Sequence, residues 1–131
     1  MNRRHFITAA TAMVAVSSRA AEAPSLLIGQ IGTTHSHAAG KMEAIRSLPD
    51  LWKVVGVAES DMALHQTFAK SKAYSGLSVL TEDRLLGTDG LKAVAVETRV
   101  ETSCATALKC IQAGKHVHLD KPGALNHTAF K

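Results

Sequence analysis

Three short apolar runs, each followed by a stretch of helical spacing, limit what this chain can fold into more than any other feature. Residues 25–31 read SLLIGQI and break at Gly32-Thr33-Thr34, residues 53–58 read KVVGVA, and residues 93–96 read AVAV. Runs this continuous and rich in Val and Ile suit strands buried on both faces, as in a parallel sheet covered by helices. Between them, residues 36–48 carry Ala39, Met42, Ile45 and Arg46 at a 3.6-residue period and stop at Pro49-Asp50. Asp61 can cap a helix through Lys70 with Leu64 and Phe68 on one face. Residues 74–79 read as a weaker strand, and Thr81 opens a short helical turn through Leu86. Residues 101–113 form a helix closed by Gly114, and residues 116–119 a last strand before Pro122. Strand and helix in alternation predict an α/β fold, a doubly wound parallel sheet in three α/β/α layers.

The first twenty residues have a different character. Asn2-Arg3-Arg4-His5-Phe6-Ile7 precedes a short apolar or small stretch ending in Ser18-Arg19-Ala20, with no acidic residue. A charged start, an apolar middle too short to span a bilayer and small residues at the end make a secretory signal. The arginine pair is similar to the twin-arginine class, which implies export of a folded protein to the periplasm and cleavage after Ala20. Arg3, Arg4 and Arg19 also account for most of the net charge of +4. Without them the charge is nearly balanced and no basic stripe remains, which excludes a nucleic-acid backbone binder. No apolar run is long enough for a membrane partner once the signal is removed. Cys104 and Cys110 fall six residues apart in one predicted helix, about 9 Å along its axis, too far for a disulfide. They read as small buried apolar residues.

The turn after the first strand carries the chemistry. A strand that ends in a glycine turn and feeds a helix offers backbone amides and a helix dipole to a dinucleotide's diphosphate. Here the turn is Gly32-Thr33-Thr34-His35-Ser36-His37. Gly32 fits the first glycine of G-x-G-x-x-G, while Thr34 and His37 stand in place of the other two. Thr34 brings a side chain to where backbone should approach phosphate, either as a hydroxyl donor or as an obstacle. Glu59, at the end of the second strand, can accept hydrogen bonds from ribose hydroxyls and would repel a 2′-phosphate, favouring NAD over NADP.

The segment Ala113-Gly114-Lys115-His116-Val117-His118-Leu119-Asp120-Lys121-Pro122 resembles the A-G-K-H-V-x-x-E-K-P stretch of the Gfo/Idh/MocA family of NAD(P)-dependent oxidoreductases. Residues 91–103 (LKAVAVETRVETS) resemble its D-A-V-x-I-A-T-P-x-x-x-H stretch, and residues 81–86 the short helix before it. The resemblance implies a Rossmann-type nucleotide-binding domain over residues 25–131, binding NAD or NADP through Gly32, Thr33, Thr34, His35, His37, Glu59, Thr98, Lys121 and Pro122. It implies Lys121 and Asp120 as the catalytic pair, Lys121 bonding the hydroxyl of a sugar or polyol as hydride leaves the carbon. Asp120 replaces the family's Glu, and a cis bond before Pro122 is expected. Arg99 and Ser103 depart from the family's Pro and His.

Family enzymes carry a second, substrate-binding domain. A chain ending at Lys131, soon after a helix capped by Asn126, is expected to be a truncation that is incompetent for turnover alone. The competing reading is a remnant or interaction domain that keeps the fold without cofactor, supported by the missing glycines. A lesser alternative takes His35-x-His37, His116-x-His118 and Asp120 as metal-ligand types; from the sequence alone no metal is expected.

Overall fold

The computed structural model describes residues 24–131 apart from Ala69. The export signal read at residues 1–20 lies outside the described residues. Five parallel strands form one sheet: β1 (Leu26–Ile31), β2 (Trp52–Ala58), β3 (Val79–Leu80), β4 (Leu91–Val96) and β5 (His116–Leu119), in the order β3-β2-β1-β4-β5. The connections carry α1 (Ala38–Arg46), α2 (Met62–Phe68), α3 (Glu82–Leu86) and α4 (Val100–Gln112), and α5 (His127–Phe130) follows β5. Among the described residues, no helix is long and apolar enough to cross a membrane.

The helices cover the two faces of the sheet and divide the core in two. One cluster gathers Ile31, Val94 and Val96 of the sheet with Leu85 of α3 and Ala107 and Cys110 of α4. The other packs Met42 of α1 and Phe68 of α2 with Val57, Ala73 and Tyr74. This explains the largely apolar character of β1 and β4, whose last residues are all buried, the polar Gln30 among them. Edge strand β5 instead alternates exposed and half-buried positions. Gly29 lies inside β1 for a packing reason: a Cβ there would stand 2.6 Å from a Leu85 methyl, so the absent side chain lets α3 close onto the sheet.

Several boundaries differ from expectation, each for a local reason. The weak strand expected over residues 74–79 is a chain of turns, and only Val79–Leu80 pairs with β2. Tyr74 points into the core, its ring stacked on Phe68 at 5.0 Å, and its hydroxyl accepts a hydrogen bond from Gln30. Gly76 then turns the chain with φ +76°. Helix α1 begins at Ala38 rather than at Ser36, and it buries Ala38 and Met42, four residues apart, leaving Ala39 exposed. Thr81 and Asn126 both cap as expected, their side chains accepting from the Arg84 and Ala129 amides. Both cysteines are free. Cys110 is fully buried, which pushes its thiol up to about 11, whereas Cys104 is half-buried.

Two glycines make opposite predictions. Gly32 holds φ +82°, and a Cβ on it would meet the Thr98 Cα at 2.9 Å. Gly32→Ala is expected to destabilise the fold by about 1–3 kcal/mol in chemical denaturation. Gly40, inside α1 with nothing near its would-be Cβ, should gain about 0.5–1 kcal/mol as Ala.

Candidate functional site

In an all-parallel sheet the carboxyl ends of the strands share one rim. Strand order reverses between β1 and β4, and at such a switch point the outgoing loops diverge and leave a crevice. The Gly32 turn leaves β1 here. It is pinned by Gly32 N–H to the Ala58 carbonyl (2.8 Å), Glu97 N–H to the Ile31 carbonyl (2.8 Å) and His35 N–H to the Glu97 carbonyl (3.1 Å). Buried Gln30 adds a side-chain bond to the Gly32 carbonyl at 2.9 Å. Among the described residues the Thr33 and Thr34 amides make no hydrogen bond, so two donors remain open at the start of the α1 connection.

A cleft of about 250 Å³ opens over this turn, lined by Gly32, Thr34, Glu59, Ser60, Asp61 and Thr98, among others. Thr34 is exposed at its edge. Glu59 is almost buried, accepting from the Thr33 hydroxyl at 2.7 Å on one oxygen and from the Asp61 amide at 3.0 Å on the other. Each carboxylate oxygen has a second lone pair, so both can take a further donor. A more apolar hollow of about 420 Å³ continues past Glu59 and Ser60 along Met62, Val79 and Leu80.

The second half of the rim is a charged cluster. Lys41 Nζ lies 2.6 Å from Glu97 Oε1 and 2.7 Å from Asp120 Oδ2. His37 Nδ1 is 3.2 Å from the same Asp120 oxygen, and His35 Nε2 is 3.2 Å from the Lys121 carbonyl. The Lys121 amide donates to Asp120 Oδ1 at 2.7 Å, and the Lys121–Pro122 bond is cis. Loops after β1, β4 and β5 are thereby tied together through side chains. The sequence-predicted residues thus form two adjacent groups: Gly32, Thr33, Thr34, Glu59 and Thr98 at the cleft, and His35, His37, Asp120 and the Lys121–Pro122 turn in the cluster. The Lys121 side chain is exposed. His116 and His118 are exposed on β5 and do not belong to the three-residue group of His35, His37 and Asp120.

Two central members escaped the reading of the sequence. Lys41 lies four residues after His37, one helical turn on, which places both on the same side of α1. Glu97 directly follows the buried run of β4, at the position where the resembled D-A-V-x-I-A-T-P stretch has Ala. A carboxylate directly after such a run was the available signal, because a fully buried charge requires a partner.

Fold and rim together define a nucleotide-binding α/β domain of the doubly wound class. The oxidoreductase family GFO_IDH_MocA, NAD-binding Rossmann fold, matches residues 26–131, and the chain belongs to that family. Solved structures share the fold. An oxidoreductase domain protein from Kribbella flavida is 27% identical with a TM-score of 0.66, over 81% of this chain and 29% of that one. The 3-ketoreductase KijD10 from Actinomadura kijaniata, in complex with TDP-benzene and NADP, is 24% identical with a TM-score of 0.65, over 80% of this chain and 32% of that one. The WlbA dehydrogenase from Bordetella pertussis, in complex with NADH and UDP-GlcNAcA, is 19% identical with a TM-score of 0.66, over 80% and 31%. The chain thus spans about a third of the length of these relatives. No protein of curated function matches it.

The cluster has a defined electrostatic signature. The Lys41 bond holds the Asp120 carboxyl well below the usual carboxylate range; burial opposes this, while the Lys121 amide and His37 reinforce it. Burial pulls the Lys41 ammonium down, and its bonds to Asp120 and Glu97 outweigh that, leaving it raised. Asp120 therefore adds stability that is present above its unfolded pKa, about 3.9, and is lost as pH falls toward its lower folded value. Lys41 adds stability that is complete below about pH 10.4 and is lost above it as pH passes the folded value. Unfolding midpoints are expected to fall as pH drops from about 5 to 3, and Asp120→Asn should flatten that fall. Lys41→Met strands the fully buried Glu97 carboxylate and should cost about 3–5 kcal/mol at neutral pH, read by urea denaturation.

Proposed function

We propose that this domain binds a nicotinamide dinucleotide at the β1/β4 crevice and serves an oxidoreductase acting on a sugar or polyol hydroxyl. The observation that carries the reading is the pair of open Thr33 and Thr34 amides at a positive-φ glycine turn beside the Glu59 carboxylate. Open amides at a turn leading into a helix suit a diphosphate, and they lie where a doubly wound fold receives one. Glu59 would accept from the ribose hydroxyls, and the apolar hollow along Met62, Val79 and Leu80 would receive the adenine. A carboxylate at that position disfavours a 2′-phosphate, so NAD is preferred over NADP.

When bound, the nicotinamide supplies hydride chemistry. On the protein side, Lys121 carries an ammonium on the same rim, where it would bond a substrate hydroxyl and steady charge on its oxygen. Asp120, ionised and bonded by Lys41, His37 and the Lys121 amide, orients the Lys121 turn. Family membership and the nucleotide-sugar complexes of the WlbA relative support a carbohydrate-type substrate.

Calorimetry of the full chain with NAD and with NADP tests this reading. NAD is expected to bind more tightly than NADP, and Glu59→Gln should narrow the difference. Thr34→Trp, which fills the cleft edge, should weaken NAD at least about tenfold. Failure of both dinucleotides to bind at millimolar concentration would overturn the assignment and favour a domain that keeps the fold without cofactor.

A further inference from the structure

The cluster of His35, His37 and Asp120 lies outside the cleft assigned to the dinucleotide. One ligand atom from each of the three residues lies within 4.8 Å of the others. His35 Nε2 faces the Lys121 carbonyl at 3.2 Å and donates its N–H there, with Nδ1 on the other side of the ring. That same Nδ1 accepts the His37 amide at 3.2 Å. It lies 3.5 Å from Glu97 Oε2 and 3.7 Å from Asp120 Oδ2. Glu97 Oε2 is fully buried and, among the described residues, receives no hydrogen bond. Lys41 is the cation present, ion-paired with one oxygen of each carboxylate. Two carboxylates, Glu97 and Asp120, thus share one ammonium.

We propose that His35 Nδ1, His37 Nδ1 and Asp120 Oδ2 bind a divalent transition metal of the zinc type. Two imidazole nitrogens and one carboxylate oxygen suit Zn²⁺ or Co²⁺, and three protein ligands leave a position open to solvent or ligand. The Nε2–H bond from His35 to the Lys121 carbonyl is the kind of outer contact that fixes a metal-bound imidazole's tautomer. On binding, the metal takes the His35 lone pair from the long 3.2 Å amide bond and the His37 Nδ1 site from its proton. Lys41 stays with Glu97, and Glu97 Oε2 faces the new charge. The site is separate from the cleft, since neither histidine nor Asp120 lines it. It shares Asp120 with the Lys121 turn, so zinc is titrated without dinucleotide to test the two readings apart.

The test is calorimetric titration of the chelator-stripped full chain with ZnCl₂ alone, with thermal unfolding read in parallel. One equivalent is expected to bind saturably and to raise the unfolding midpoint. His37→Ala, at a half-exposed side chain, should weaken binding at least about tenfold, as should Asp120→Asn. His118→Ala should leave it unchanged. Co²⁺ in place of Zn²⁺ should give a visible d–d band that His37→Ala abolishes. No saturable binding up to millimolar Zn²⁺, binding that survives His37→Ala unweakened, or binding lost in His118→Ala would each overturn the proposal.

Discussion

One ammonium group holds the working rim of this domain together. Lys41 reaches from the first helix to Glu97 after β4 and Asp120 after β5, at 2.6 and 2.7 Å. Strands β1 and β5 lie on opposite sides of β4, so backbone pairing alone cannot connect their outgoing loops. The side-chain network does so. It works because Glu97 is fully buried: a charge removed from water must keep its partner, and so the partner's position is specified.

The same constraint sets the positions of neighbouring groups. Asp120, bonded on one oxygen by Lys41 and His37, uses the other to hold the Lys121 amide. The Lys121 carbonyl in turn receives His35 from the glycine turn. The rim therefore has a rigid, charged half around Asp120 and an open half around Gly32 and Glu59 with unused amide donors. In the proposed function, a cofactor diphosphate would take the open half and the charged half would supply groups for chemistry beside it.

Much of this was legible in the residues. Continuous apolar runs at residues 25–31, 53–58 and 93–96 revealed strands buried on both faces, and the breaks at Gly32, Pro49 and Gly114 marked where they must turn. Gly32, Glu59 and the Asp120-Lys121-Pro122 segment could be placed on one rim because parallel strands all end on the same side. The strand expected around Tyr74 was misread because an aromatic-containing run looks alike whether it pairs in a sheet or folds back onto a core. Here the Phe68 stacking and the Gln30 bond decide the matter. Lys41 and Glu97 stayed hidden for a different reason. Their partnership spans 56 residues of sequence, and only the close approach of the β1 and β4 ends, where Gly32 abuts Thr98, brings them into contact.

The central claim is that the rim at the β1/β4 switch point is the cofactor face. Amide chemical-shift mapping of the isotopically labelled chain on titration with NAD addresses it most directly. Shifts should concentrate at Thr33, Thr34, Ser60, Asp61 and Thr98. Shifts centred instead on the opposite rim, at Asp50, Gly90 and Gly114, would contradict it.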